Sequence, residues 1–97
     1  MVNNINEVSN PAKVRANFRK YKGNDDAKLE LSEKKDKKYK VIVDGKTVHF
    51  GSTMPDYTLH GSKTRQKSYL ARARGIPGNW KSNKYSANNL AIWLLWH

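Results

Sequence analysis

YKVIVDGKTVHFG, Tyr39 to Gly51, sets two runs of strand-forming residues on either side of Asp44-Gly45. Both central residues of a type I′ turn need positive φ, and Asp-Gly supplies that at low cost. The turn fixes the register: Val43 faces Lys46, Val41 faces Val48, and Tyr39 faces Phe50. Side chains alternate along a strand, so Tyr39, Val41, Val43, Val48 and Phe50 share one apolar face. Lys40, Ile42, Thr47 and His49 fall on the other. Upstream, KLELS (Lys28–Ser32) alternates in the same way and adds a third strand after the charged loop EKKDK. A three-stranded meander with one apolar face needs helices to cover it.

The flanking segments offer those helices. Asn10 and Pro11 are an N-cap and a first helical residue, and Gly23 is placed to end the helix. Between them Val14, Phe18 and Tyr21 make one stripe, with Lys13, Arg15, Arg19, Lys20 and Lys22 around it. Residues 1–9 are Asn-rich and read as a flexible arm. Beyond the hairpin, STMPDYTLHG reads as a loop. A helix is then predicted over Lys63–Arg74, capped by Ser62 and stopped by Gly75, with Gln66, Tyr69, Leu70 and Ala73 facing inward. GIPGNWKSNKY is a loop. Ser86 caps a last helix, from Ala87 to about Trp96, that is apolar nearly all round. Such a helix is normally buried on every side, so either the chain covers it or a second protein does. The expected fold is α+β: a three-stranded antiparallel meander covered by two C-terminal helices, with a basic N-terminal helix on the arm. The expected division is residues 1–26 for arm and helix, and 27–97 for a small basic domain.

The formal charge is +11 over 97 residues. Residues 1–36 hold eight Lys/Arg against six Asp/Glu, whereas residues 37–97 hold eleven against Asp44 and Asp56 alone. That field favours phosphate backbones, anionic lipid or an acidic protein surface. There is no cysteine, hence no disulfide and no thiolate metal site. No signal peptide is legible at the N-terminus, and the longest apolar run, LAIWLLW, is far short of the roughly 20 residues of a membrane span. The expectation is a soluble intracellular chain, or one packaged from inside a cell.

An enzyme is poorly served. Asp44 and Asp56 both occupy turn positions, and with His49, His60 and His97 they match no metal-ligand or catalytic spacing. Gly75-Ile76-Pro77-Gly78 lacks the Lys-Ser/Thr of a phosphate-binding loop. No catalytic residue, metal ligand or cofactor is expected. Binding fits better. Lys63, Lys67 and Arg74 line one flank of the Lys63–Arg74 helix and Arg65 and Arg72 the other; Lys81 and Lys84 extend the charge. These seven are the candidates for contact with nucleic acid or an acidic surface. Tyr57 and Trp80, in loops, are the stacking candidates. Trp93 and Trp96 are the candidate anchors for a protein interface. No helix-turn-helix, zinc-finger or RNP motif is present, so no base readout is expected.

KKYKVIVDGKTVHFG, DYTLH, TRQKSYLARARG, a following Trp and the closing LLW occur in an order that resembles a small uncharacterised family of proteins encoded by large DNA viruses and tailed phages. The resemblance runs from Lys37 to Trp96. It implies a virus-encoded protein carried in the particle, and no catalytic residue. Gly61-Ser62 and Ala73-Arg74 depart from the pattern, which has a charged segment and a His in those places, so a role built on that His does not carry over. The function expected is a non-enzymatic minor structural protein of the virion, present in the host cytoplasm before assembly. Its partners would be other capsid proteins and nucleic acid without sequence preference, with no membrane and no small-molecule substrate. The alternatives are a free intracellular nucleic-acid-binding protein acting in replication or packaging and, third, an enzyme acting on nucleic acid.

Overall fold

The computed structural model describes residues 4–97 and has an α+β fold. Strands β1 (Ala27–Leu31), β2 (Tyr39–Val43) and β3 (Lys46–Phe50) form one antiparallel sheet in the order β1-β2-β3. Hairpin register is as the turn dictates: Val43 opposite Lys46, Val41 opposite Val48, Tyr39 opposite Phe50. Asp44 (φ 53°) and Gly45 (φ 73°) both take the positive φ of a type I′ turn. β1 joins through Leu29 opposite Val41, one residue earlier than KLELS suggests. Ala27, Tyr39, Val41, Val43 and Phe50 are buried on one face, with Leu29 and Val48 packed beside them.

Two helices close that face. Helix α1 (Pro11–Lys22) is capped by the Asn10 side chain, which accepts from the Lys13 amide, and it buries Val14 and Phe18 in the same core as the sheet. The C-terminal helix begins as α4 (Ala87–Leu90), capped by Ser86, and runs straight into a π-helical turn, Ala91–Leu95. The sequence predicts ordinary helix here. Instead the Trp96 amide donates to the Ala91 carbonyl at 3.2 Å, an i→i−5 bond. Leu90, Ala91, Ile92, Leu94 and Leu95 are all buried within this chain, so its own sheet and α1 cover most of the helix that looked too apolar for a domain this small.

Helices α2 (Tyr57–His60) and α3 (Lys63–Arg74) lie to one side. α2 is a single turn inside the segment that reads as a loop. Asp56 caps it and Gly61, in the left-handed region, ends it. α3 is bounded by Ser62 and Gly75 as expected, and turns its predicted inner face toward the C-terminal segment rather than lying along the sheet. Gln66 Nε2 donates to the Trp96 carbonyl (2.8 Å), Asn88 Nδ2 donates to the Ala73 carbonyl (3.1 Å), and Tyr69 stacks on Trp96 with ring centroids 4.3 Å apart. The second helix over the sheet is therefore α1, because its Val14–Phe18 stripe is the more apolar of the two.

The flexible arm needs a correction. Met1–Asn3 lie outside the described residues. The remainder is fastened: Asn4 caps a 3₁₀ turn (Ile5–Glu7), Ser9 is buried, and the Val8 carbonyl accepts from the Asp56 amide at 3.0 Å.

Candidate nucleic-acid interface

A buried polar network holds the parts of the chain that carry the charge. Lys38 (2% exposed) and Asp56 (0%) form an ion pair at 3.1 Å beneath the Ser52–Pro55 loop. The Lys38 ammonium also donates to the Met54 carbonyl. Asp56 Oδ1 accepts from the Thr58 amide (3.0 Å) and the Thr58 hydroxyl. Thr58 Oγ1 accepts from the Asn10 amide (3.0 Å) and lies 3.3 Å from Ser9 Oγ, to which the Tyr39 hydroxyl donates at 2.8 Å. Burial pushes the Lys38 ammonium below its ordinary pKa, against the pull of the Asp56 carboxylate. One network thus ties β2, the N-terminal segment and α2 together. Reading Asp56 as a turn residue missed it. The signal available was a charged Lys38 immediately before a buried strand, with an Asp-x-Thr cap later in the chain.

The same network sets an alkaline limit on stability. Burial pushes the Tyr39 phenol up to about 12 from 10.0. A group whose folded pKa is raised keeps its full contribution below its unfolded pKa and loses it as pH climbs toward the folded one. The unfolding free energy should therefore fall between pH 10 and 12, with about 2–3 kcal/mol of that from Tyr39. Urea titrations at pH 9, 10, 11 and 12, steps chosen at about one unit, should show Tyr39→Phe falling less steeply than the native chain. Tyr21, Tyr69 and Tyr85 are shifted upward too, chiefly by burial, so the variant keeps part of the slope. Parallel curves for variant and native chain would contradict the assignment.

The charged surface is built on α3. Lys63, Arg65, Lys67, Arg72 and Arg74 are all exposed. At 100° per residue, Lys63, Lys67 and Arg74 form one rail and Arg65 and Arg72 the other. Between the rails lie exposed Thr64, Ser68 and Ala71, short enough to let the helix approach a backbone closely. Lys81 is exposed in the following 3₁₀ turn (Trp80–Ser82). Residues 57–97 contain no Asp or Glu, and none of these six cations forms an ion pair among the described residues. Lys84 differs. Its ammonium meets Asp25 Oδ2 at 2.7 Å and lies 5.5 Å over the rings of Tyr21 and Tyr85. The Lys84 and Tyr85 hydrogen bonds hold the Asp25 carboxyl below its ordinary pKa. Lys84 clasps the segment before β1 and adds less to the open field.

The aromatic candidates sort by their surroundings. Tyr57 is half-buried, edge-on to His60, with Lys63 5.6 Å over its ring. Trp80 is half-buried and fixed by an Nε1 bond to the Ile76 carbonyl (2.7 Å), with Lys81 5.5 Å over its ring. Trp96, expected as an interface anchor, packs inside the chain between Tyr69 and His60, the latter 5.5 Å away. Trp93 is the open one, 43% exposed.

For covalent chemistry the geometry offers, among the described residues, one hydroxyl–imidazole pair. Ser32 Oγ lies 2.7 Å from His49 Nδ1. Ser32 is 0% exposed and its oxygen also accepts from the Lys34 amide (3.0 Å), so the pair pins the β1–β2 loop to β3 and presents no reachable oxygen. Among the described residues no group of three or more His, Asp or Glu could hold a metal ion, and no helix is long and apolar enough to cross a membrane.

Residues 27–73, from the first strand to the end of α3's inner face, match a family of unknown function (DUF5754). No curated protein and no solved structure matches the chain.

Proposed function

We propose that this chain is a non-enzymatic, virus- or phage-encoded minor structural protein whose basic surface lies on packaged nucleic acid. The observation that carries the nucleic-acid part is the stretch 57–97 without Asp or Glu, with six exposed cations on and just after α3 that form no ion pair among the described residues. Two rails flanking a strip of small side chains suit a phosphate backbone and carry no base readout. The viral setting rests on the order of motifs between Lys37 and Trp96. An acidic capsid surface would meet the same field, and it is the partner to look for if nucleic acid fails. The second reading, a free intracellular nucleic-acid-binding protein in replication or packaging, draws on the same cations.

Six phosphate contacts give a log–log salt dependence of about −5 on duplex DNA. Arg65→Glu with Arg72→Glu removes two of them, so the slope should fall to about −3.6 and affinity near 0.15 M salt should drop about tenfold or more. Fluorescence anisotropy across a salt series reads both quantities. A native chain with a flat slope, or a double variant that binds as tightly as native, would rule out direct nucleic-acid binding through α3. Packaging of the double variant into particles at native levels would separate a virion component held by protein contacts from the free intracellular binder.

A further inference from the structure

We infer that the hollow between Trp80 and Trp93 seats an unpaired nucleobase, so that the chain prefers single-stranded to duplex nucleic acid. This rests on the nucleic-acid reading above and deepens it.

The hollow, about 220 Å³, is lined by Arg74, Trp80, Lys81, Asn89, Ile92 and Trp93. Two indole rings and two cations with no carboxylate are the groups that hold one base and its flanking phosphates. Arg74 is the last cation of the α3 rail, so a backbone tracking that rail arrives at the hollow. The walls are preset. Trp80 is tied through Nε1 to the Ile76 carbonyl, and its own carbonyl accepts from Ser86 Oγ and Asn89 Nδ2, both at 2.9 Å. Asn89 Nδ2 also donates to the Asn83 carbonyl (2.9 Å), so its amide hydrogens are engaged by backbone rather than free to read a base edge.

Trp93 is the exposed residue within the π-helical turn, with Ile92 and Leu94 buried on either side of it in sequence. Such turns recur at functional sites. A second hollow, about 420 Å³, lies against Trp93 as well and is lined by Asn17, Lys20, Tyr21, Trp93 and His97. It brings Lys20 to a second side of the same indole. Tyr21 stacks beside Trp93 with centroids 6.2 Å apart, and His97 lies 4.5 Å away. Trp93 is thereby a braced aromatic wall between two cation-bearing hollows. That makes it a stacking residue, in place of the protein anchor the sequence suggests.

Anisotropy titrations of the full chain with an oligothymidylate and a duplex of matched length test this. Trp93→Leu keeps apolar bulk and removes the stacking face, and Trp93→Phe restores a ring. The expected result is tighter native binding to the single strand. Trp93→Leu should cost about tenfold on that strand with little change on duplex, and Trp93→Phe should recover most of the loss. If Trp93→Leu binds the oligothymidylate as tightly as native, or loses both ligands equally, the inference is overturned while the α3 reading stands. If the native chain binds neither ligand, the α3 reading falls and takes this one with it.

Discussion

Replacing Asp56 with Ala lowers the unfolding free energy by about 3–5 kcal/mol, a large part of what a 97-residue domain has. The carboxylate is wholly buried and neutralises an equally buried Lys38 ammonium at 3.1 Å. Removing it strands a charge in the interior, and burial is already pressing Lys38 toward its neutral form. The Thr58 amide and hydroxyl lose their acceptor at the same time, which loosens the cap of α2 and the contact to Asn10. The partner experiment is Lys38→Met combined with Asp56→Ala. With both charges gone no ammonium is stranded, so the double variant should recover much of the loss, the residue being the unsatisfied Thr58 groups. Urea denaturation of native, single and double variants gives the cycle. A single variant within about 1 kcal/mol of native would mean the pair is hydrated rather than buried.

Truncation before Leu90 leaves a chain with no cooperative unfolding transition. It removes Leu90, Ala91, Ile92, Leu94 and Leu95, all buried, together with the Trp96 ring that Tyr69 stacks on. Deleting even one buried Leu or Ile side chain costs about 2–5 kcal/mol, so losing four such residues exceeds the whole stability of an ordinary domain. Far-UV circular dichroism with a thermal scan reads the outcome. A truncated chain that still melts cooperatively would show the core to be closed by sheet and α1 alone. The consequence for function is practical. Removing this helix cannot separate binding from folding, whereas Trp93→Leu can, because Trp93 is exposed and the Leu and Ile residues around it are buried.

How much of this was legible beforehand depends on the range of the contact involved. Asp44-Gly45 fixed the hairpin register because a two-residue turn leaves no alternative pairing. Asn10, Ser62 and Ser86 marked helix starts because a cap acts within three residues of itself. The charge asymmetry needed only counting. The Lys38–Asp56 pair joins residues 18 apart, across the hairpin and the loop after it, and the Asp-x-Thr cap signal at Asp56 does not say which distant charge it meets. A helical wheel says which side of α3 is apolar without saying what meets it. The packing gave that side to the C-terminal segment and left the sheet to α1 and the C-terminal helix. The fate of the tryptophans was likewise beyond local rules. Trp93 stays open and Trp96 stacks on Tyr69 because of where α3 and α1 pack against the C-terminal segment, which no local pattern states. Local rules reach the hairpin, the starts of α1, α3 and the C-terminal helix, and the sign of the surface. Tertiary structure decided which charges are buried and which aromatic ring stays open, because both depend on where distant segments meet.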